Sequence, residues 1–217
     1  ATLAHTLHSL RHRLRISVVG LHVNMGLGSV SEASQNAVAQ LCELLQIKLH
    51  ISRVADFDIS VEPVAQFHQC GVCGAVRRAL LNRLCAQLGV HVLATGHTLE
   101  DVLQFMLKGI LSGRLDAPRP MLLPATHRPR KVKPLYFTPE TATEVYAQTL
   151  DLPRSDVECS YFDPESHRFK QVFGLLEQLA PMSKIQFAHT MLKAMPPAVP
   201  ENLERLCDEC GEPTNAT

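Results

Sequence analysis

The sequence has no excess charge of either sign and no long apolar segment. Its 217 residues include 21 Lys and Arg and 21 Asp and Glu, so no global electrostatic field attracts nucleic acid. Any contact with RNA must therefore depend on local basic patches. Polar residues interrupt each apolar segment before it reaches the length that spans a bilayer. There is also no charged leader with a cleavage site, so we expect a cytoplasmic protein without a membrane partner.

The cysteine count argues against a disulfide framework. Seven is an odd number, and together with the lack of a leader it indicates reduced thiols. Cys42 and Cys85 fall on apolar helix faces, where we expect them to pack in the core. With 46% apolar residues, the chain can bury one good core and a small appendage.

Helix-like and strand-like segments alternate along the chain. Leu3, Leu7, Leu10 and Leu14 recur at helical spacing, and a β-rich segment follows them. We predict helices over residues 1–14, 31–46, 74–88, 99–110, 140–150 and 171–179, and strands over residues 16–23, 50–54, 90–95 and 132–136. This alternation favours an α/β fold in which helices flank a parallel sheet and ligands bind beyond the carboxyl ends of the strands.

Turn residues give the expected boundaries of these elements. Ser31 follows a Gly-Leu-Gly-Ser turn and is the predicted N-cap of the second helix. The segment Pro118 to Pro134 is rich in proline and arginine, and we expect an irregular loop there. Pro196, Pro197 and Pro200 predict a linker to the C-terminal residues.

Two short segments are strongly basic. Residues 11–15 read Arg-His-Arg-Leu-Arg, and residues 127–133 read His-Arg-Pro-Arg-Lys-Val-Lys. Each is compatible with binding to the phosphates of RNA and equally with a solvated loop. Composition supports an RNA contact here without deciding it.

Cysteine pairs provide the clearest chemical signal. Cys70 and Cys73 stand two residues apart, a spacing at which two thiolates bind one soft metal centre. A third thiol, Cys159, would complete an iron–sulfur site with one unprotected iron. Alternatively, the first pair forms a four-thiolate zinc site with Cys207 and Cys210. A third hypothesis is that one cysteine of the pair carries a persulfide, which Cys159 resolves. Nearby arginines favour such chemistry because they lower a thiol pKa.

An acidic residue follows the clearest predicted strand. Asp101 closes the sequence Thr98-Leu99-Glu100-Asp101, which is typical of a helix N-cap with acids in the first turn. The same carboxylate could instead serve catalysis, and the local sequence leaves both roles open. Gly96 and His97 form the turn before this helix, where a glycine lets the backbone approach a phosphate or ribose.

Five segments, in this order, carry a resemblance to a known family. They are Cys-Gly-Val-Cys-Gly at 70–74, Arg-Arg with Leu-Leu-Asn-Arg within 77–83, Ala-Thr-Gly-His-Thr-Leu-Glu-Asp at 94–101, Lys-Val-Lys-Pro-Leu-Tyr at 131–136 and Glu-Cys at 158–159. In order and spacing the chain closely resembles the TtuA branch of the PP-loop tRNA 2-thiolation enzymes. The resemblance implies an HUP-type α/β domain that binds ATP, adenylates the C2 oxygen of a tRNA pyrimidine and replaces that oxygen with sulfur.

The resemblance also assigns roles to individual thiols. It implies that Cys70, Cys73 and Cys159 hold a [4Fe–4S] cluster whose fourth iron is free to take the sulfur being transferred. Cys207 and Cys210 are similar to the first half of the family's zinc finger, which implies a partial Zn²⁺ site. The cluster reading of the first three thiols is therefore favoured over zinc and over a persulfide.

The remaining roles concern the nucleotide and its activation. Asp101 matches an acidic residue that acts in catalysis or holds Mg²⁺, and Arg77 stands where the family often has a lysine near the phosphates. A guanidinium can bind phosphate but cannot give up a proton. The resemblance places ATP against one further set of residues, namely His22, Val23, Gly96 and His97.

The resemblance extends to partners and to domain organisation. It implies tRNA as substrate, a sulfur-carrier protein or sulfide as donor, and a homodimer. We expect a nucleotide-binding domain over residues 1–165, a helical segment over 166–200 and a partial zinc-finger-like tail over 201–217. The family's Ser-Gly-Gly-x-Asp-Ser loop should immediately precede a helix like that at the start of this chain, so we expect a fragment of a longer protein or a degenerate relative.

Two other functions are compatible with parts of the sequence. A non-catalytic module could hold RNA or a sulfur carrier, with structural zinc and a degenerate nucleotide pocket. An ATP pyrophosphatase of the same fold could act on a small substrate, although three thiols in register would then serve no purpose. The retained cysteines favour the thiolation enzyme over both.

Overall fold

The computed structural model divides into two compact units. Unit 1 comprises Ala1–His91, Ala147–Phe162 and Glu204–Thr217, and unit 2 comprises Val92–Tyr146 and Asp163–Leu203. The structure describes residues 1–59, 61, 69–114, 118–124, 128–159, 161, 168–195, 205–206 and 213–214.

Unit 1 is built around two parallel strands. Its elements in chain order are α1 (Thr2–Leu14), β1 (Gly20–Asn24), α2 (Ser29–Leu44), β2 (Leu49–Arg53), a short 3-10 helix (Val54–Phe57) and α3 (Gln69–Leu88). Strands β1 and β2 pair in parallel with Gly20 opposite Leu49. Because α2 connects them, this is a β-α-β unit, as the alternation of patterns predicted.

Two cores support unit 1. Val23 and Met25 at the end of β1 pack with Cys73 and Leu80 of α3. On α2, Leu41 and Cys42 belong to a second cluster, which includes Leu152. The predicted burial of Cys42 and Cys85 is confirmed, since they are 6% and 1% exposed.

A glycine turn connects β1 to α2. Gly26 and Gly28 have φ angles of +69° and +54°, in the left-handed region that side chains with a Cβ disfavour. The predicted N-cap, Ser31, is wrong: α2 begins at Ser29 and Gly28 is its N-cap. Ser31 still serves the turn, because its Oγ accepts a hydrogen bond from the backbone N–H of Leu27 at 2.9 Å.

We expect Gly26→Ala to destabilise the protein by about 1–2 kcal/mol, the usual cost of a left-handed residue with a side chain. A Cβ at this position would also lie 3.2 Å from Cγ2 of Val54. Urea unfolding followed by circular dichroism measures the change. The matched control is Gly174→Ala in a helix with open space around it, which should stabilise by about 0.5–1 kcal/mol. Equal effects of the two changes would contradict this reading.

Unit 2 combines a small sheet with a helical layer. Its elements are β3 (Val92–Ala94), α4 (Leu99–Leu111), β4 (Met121–Leu122), β5 (Arg130–Val132), α5 (Glu140–Thr149), α6 (Arg168–Leu179) and α7 (Ser183–Ala194), with the last residues of α5 in unit 1. The strand order is β3-β5-β4, in which β3 and β5 are parallel and β4 is antiparallel to β5.

Helix α4 lies at the centre of the core of unit 2. Its residues Val102, Leu103 and Met106 are at most 1% exposed and pack in one cluster with Tyr136 and Phe173. The Tyr136 hydroxyl donates to the carbonyl of Pro118 at 2.7 Å. Burial raises the pKa of that phenol to about 12.

The α/β prediction is confirmed, with three local corrections. Helix α3 begins at Gln69, before the predicted start at residue 74, so Cys70 and Cys73 lie in its first turns. The predicted irregular loop at 118–134 contains β4 and β5, and the strand predicted at 132–136 ends at Val132. Helix α7 was not predicted as a separate element.

Some predictions have no structural outcome here. The linker prolines at 196, 197 and 200 lie outside the described residues, and the three-domain division stays a prediction. Within the described residues, no helix combines the length and the apolar character needed to cross a membrane. A short antiparallel pair, β6 (Arg205–Leu206) with β7 (Pro213–Thr214), forms the last described structure.

Candidate functional site

A pocket of about 330 Å³ lies in unit 1, at the carboxyl end of β1. Its lining comes from β1, the turn after it, the first turns of α2, one face of α3 and a distant segment near residue 159. The lining residues are Leu21, His22, Val23, Met25, Leu27, Val30, Ser31, Ser34, Arg77, Leu81 and Cys159. The end of a parallel strand followed by a helix N-terminus is where α/β folds bind ligands.

Side-chain hydrogen bonds fix the turn that forms one wall of the pocket. The backbone N–H of Gly26 donates to Asn24 Oδ1 at 2.9 Å, and Asn24 Nδ2 donates to Gln35 Oε1 at 3.0 Å. With the bond from Leu27 to Ser31, the turn is tied to α2 at both ends. A turn held this way presents its backbone to a ligand without reorganising.

His22 and Arg77 are the basic side chains of the pocket. The Nε2 atom of His22 is buried and has no hydrogen-bond partner among the described residues. Burial, and then the positive charge of Arg77, lower the pKa of His22, so the imidazole is neutral at physiological pH. Arg77 is exposed at the pocket wall. The pocket therefore offers one fixed positive charge and one neutral nitrogen to a ligand.

The structure brings Cys159 to the pocket from far along the chain. Cys159 lines the same cavity as Arg77, which lies one helical turn after Cys73 on α3. Cys70 Sγ lies 3.9 Å from the carbonyl oxygen of Tyr161, two residues after Cys159. The segment after Cys159 thus contacts the start of α3, and the predicted convergence of the three thiols on one cluster stays a prediction.

The thiols themselves differ in environment. Cys70 is exposed, Cys159 is half-buried and Cys73 is 9% exposed within the core of unit 1. None of the three forms a disulfide with another described residue. Among the described residues, no three His, Cys, Asp or Glu side chains are gathered closely enough for one metal ion. Thiolates are the ligands that iron–sulfur clusters take, so these residue types fit a cluster, and their binding of one stays a prediction.

Asp101 belongs to unit 2, at the start of α4. Its Oδ2 accepts hydrogen bonds from the backbone N–H and the Oγ1 of Thr98, at 3.0 and 3.2 Å. Its Oδ1 forms an ion pair with Lys170 Nζ at 2.8 Å. The predicted helix cap is thus confirmed as a capping box. Both carboxylate oxygens have partners, and the catalytic role stays a prediction.

Lys170 forms ion pairs with two carboxylates, and Lys184 forms an ion pair with a third carboxylate. Lys170 Nζ also lies 3.1 Å from Glu140 Oε2, and Lys184 Nζ lies 2.9 Å from the buried carboxylate of Glu100. Burial alone would raise the pKa of Asp101, but hydrogen bonds from Lys170 and Thr98 outweigh it, and the pKa lies below its ordinary value. Burial would lower the pKa of Lys170, yet its two acidic partners raise it.

We expect Asp101→Asn to lower the free energy of unfolding by about 1–3 kcal/mol at pH 7, since it removes a charged hydrogen-bonding group. The folded-state pKa of Asp101 lies below the ordinary value of 3.8. The stabilisation is therefore complete above that pH and disappears as the pH falls through the folded-state pKa. The difference in free energy of unfolding between wild type and variant should be constant from pH 7 to about 5 and should shrink below about pH 4.

The matched control for this prediction is Glu144→Gln, on the exposed side of α5. The free energy of unfolding of this variant should differ from that of wild type by a small amount that does not change over the same pH range. Urea unfolding at each pH gives both curves. A flat difference for Asp101→Asn as well would mean that the ion pair with Lys170 does not contribute to stability.

The turn between β3 and α4 has the predicted position. Gly96 is exposed in it, and Nδ1 of His97 lies 2.9 Å from Oγ1 of Thr95. Their predicted contact with a nucleotide is untested. Cys207 and Cys210 lie outside the described residues, so the partial zinc site is untested as well.

Sequence reasoning missed two hydroxyl groups of the pocket. Ser31 and Ser34 both line it from the first turns of α2. Their three-residue spacing puts them on one helix face, directly after a turn with two glycines. This pattern in the sequence could have predicted that both serines face a ligand. They add neutral hydrogen-bonding groups to the pocket.

Known proteins similar to this chain act on tRNA. A family model described as a PP-loop domain matches residues 1–153. A tRNA-5-methyluridine(54) 2-sulfurtransferase from Thermotoga maritima is 32% identical, and the match covers 96% of this chain and 72% of that protein. The protein of the same name from Pyrococcus horikoshii is 30% identical, with 91% and 66% covered.

A solved structure has the same fold. The U34-tRNA thiolase NcsA from Methanococcus maripaludis, determined with its [4Fe–4S] cluster, superposes with a TM-score of 0.82 over 98% of this chain and 72% of that chain. At 22% sequence identity, this likeness establishes the architecture.

Proposed function

Because the chain belongs to the PP-loop family and matches tRNA 2-sulfurtransferases along most of its length, we propose that it is an enzyme of ATP-dependent tRNA 2-thiolation. The reaction replaces the C2 oxygen of a pyrimidine base in tRNA with sulfur. ATP transfers AMP to that oxygen and releases pyrophosphate; sulfide then forms the C–S bond while the C–O bond breaks and AMP leaves.

One observation carries the proposal beyond the family match. Cys159 lines the same pocket as Arg77, and the segment that follows it contacts Cys70 at the start of α3. A cation suited to phosphate and the thiol of Cys159 therefore line one pocket, and the segment after Cys159 reaches the helix that carries Cys70 and Cys73. An ATP pyrophosphatase without sulfur chemistry would have no use for this arrangement.

We assign the nucleotide to the pocket of unit 1. Arg77 supplies the fixed positive charge for the phosphates, and Val23 and the tied turn after β1 supply the apolar and backbone surface for the nucleoside. Nε2 of His22 is free to hydrogen-bond the ligand. Gly96 and His97, in the turn before α4, are proposed as further nucleotide contacts.

We also propose that Cys70, Cys73 and Cys159 hold a [4Fe–4S] cluster. When bound, such a cluster supplies soft iron, which binds sulfur. The chain's own contribution is to carry Cys70 and Cys73 in the first turns of α3 and to hold Cys159 at the wall of the pocket. A cluster held there would bring the sulfur chemistry beside the activated oxygen.

Magnesium would bind the phosphates of ATP, since the described lining of the pocket contains no carboxylate. Asp101 is the proposed acidic residue of the reaction. To bind a cation its Oδ1 would have to exchange the ammonium of Lys170 for that cation. Its low pKa favours the charged form and is unsuited to donating a proton.

The partners of the reaction are part of the proposal. The substrate is tRNA, and the sulfur comes from a carrier protein or from sulfide in the cytoplasm. We further propose that the protein pairs as a homodimer and that Cys207 and Cys210 contribute to a zinc site.

Anaerobic thiolation of a tRNA transcript tests the proposal. The protein, ATP, Mg²⁺ and sulfide are incubated with the transcript, and the digested nucleosides are analysed by mass spectrometry. We expect a 2-thiolated pyrimidine nucleoside, with AMP and pyrophosphate released in step with it. Release of ADP, or AMP release without any thiolated nucleoside, would contradict the proposed reaction.

A further inference from the structure

Positive charge is concentrated at the start of a chain that is neutral as a whole. The first acidic residue is Glu32, and the residues before it include Arg11, Arg13 and Arg15 and four histidines. Helix α1 carries all three of these arginines at or just after its C-terminal end and has no acid in its first turn. Residues 1–31 of the given sequence therefore contribute positive charge and no acidic side chain.

Two of these arginines are free to bind a ligand. Arg13 and Arg15 are exposed, and within the described part of the chain neither forms an ion pair or hydrogen bond through its side chain. Arg11 differs, because its guanidinium donates to the carbonyl of His8 at 2.7 Å. Burial, and then the charges of Arg11 and its histidine neighbours, lower the pKa of His8, as expected in an uncompensated positive field.

The second basic segment of the sequence is different. Lys133 is half-buried and its Nζ donates to the carbonyl of Arg119 at 2.7 Å, and Arg128 and Lys131 have partners of their own. Of the side chains that are described there, only that of Arg130 is exposed. The structure thus separates two segments that looked equivalent in sequence, and favours α1 as the surface with available cations.

We propose that the C-terminal end of α1, with Arg13 and Arg15, is a docking surface for the phosphate backbone of tRNA. The inference rests on the proposed function, which makes tRNA the substrate. Arginine suits this role because its planar fork pairs with phosphate oxygens. Helix α1 belongs to the same unit as the nucleotide pocket, so RNA held here is held by the body that carries the site.

Binding of a tRNA transcript by fluorescence anisotropy, across about 50–200 mM KCl, tests the proposal. The double variant Arg13→Gln/Arg15→Gln should bind about tenfold more weakly, and the slope of log K against log salt should fall by about 1.5. The matched control is Arg154→Gln, an exposed arginine of the same unit that already pairs with Asp156 at 3.4 Å. It should leave both quantities unchanged, and circular dichroism checks that all variants are folded.

The outcomes separate this surface from the function on which it rests. If wild type binds tRNA and the double variant binds equally well with the same slope, the surface is wrong and the function stands. If wild type does not bind tRNA, both are wrong. Exposed Leu10 and Leu14 flank the arginines, so anionic phosphatidylserine vesicles are tested too. Charge-dependent vesicle binding without an effect on tRNA would overturn the proposal in favour of a membrane surface.

Discussion

Cys159→Ser should abolish tRNA thiolation, with a loss greater than about 100-fold, because even residues that only support metal ligands contribute about 10–100-fold. A serine oxygen is a hard ligand and does not replace a thiolate at soft iron. The change keeps the size of a side chain that lines the pocket. Nucleotide binding, measured by calorimetry with ATP, should therefore stay within about twofold of wild type.

The control for this prediction is Cys42→Ala, which removes a thiol from the core of unit 1. Cys42 is 6% exposed, and burial raises the pKa of its thiol, so it does not act as a thiolate. The variant should lose about 1–2 kcal/mol of stability and keep its thiolation rate. If Cys159→Ser thiolates tRNA as fast as this control does, Cys159 has no part in the chemistry.

Arg77→Gln should reduce ATP-dependent thiolation by about 100- to 1,000-fold, the usual cost of removing one group that stabilises developing charge. Arg77 is the one cation in the described lining of the pocket. The neutral His22 beside it would gain a proton more easily once the positive charge is gone, because Arg77 lowers the pKa of that imidazole. The pH dependence of ATP binding should consequently shift upward in the variant.

Two further variants make the result for Arg77 specific. Arg78→Gln removes a neighbouring exposed arginine of α3 that does not line the described pocket, and it should keep activity within about twofold. Arg77→Lys keeps the charge without the fork, so binding of ATP should fall by no more than about tenfold. Equal losses in Arg77→Gln and Arg78→Gln would show that general charge, and not the pocket, is responsible.

Periodic segments of the sequence predicted their elements well. Helix α4 has an apolar face and a capping box at Thr98 and Asp101. The local sequence is therefore enough to predict both that this segment is a helix and where the helix begins. Helix α1 was predicted from its leucine spacing. The parallel pairing of β1 with β2 followed from the helix between them.

Elements that depend on distant contacts were not predictable in this way. Gly71 and Gly74 are poor helix formers, yet α3 extends through both, because Cys73 between them packs against the end of β1. Strands β4 and β5 have two and three residues, and their pairing joins segments on either side of a proline-rich stretch. Such short strands carry no periodic signal.

The candidate site shows the same contrast between features that the local sequence predicts and features that depend on distant contacts. The spacing of Cys70 and Cys73 is enough to predict a thiol site, which stays a prediction, whereas the choice of Cys159 as third ligand rests on the family resemblance. Its position in the pocket depends on how unit 1 folds back on itself. The sequence did not single out Ser34 because a serine in the first turns of a helix is common. Only its position in the lining of the pocket indicates a role in binding.

The iron and acid-labile sulfide content of anaerobically purified protein tests the central claim most directly. Wild type should contain about four irons and four sulfides per chain and absorb broadly in the visible range. Cys159→Ser should lose most of both, while Cys42→Ala should keep them. Stoichiometric zinc with no iron in wild type, or full iron in Cys159→Ser, would contradict the proposed three-thiol site beside the proposed nucleotide pocket.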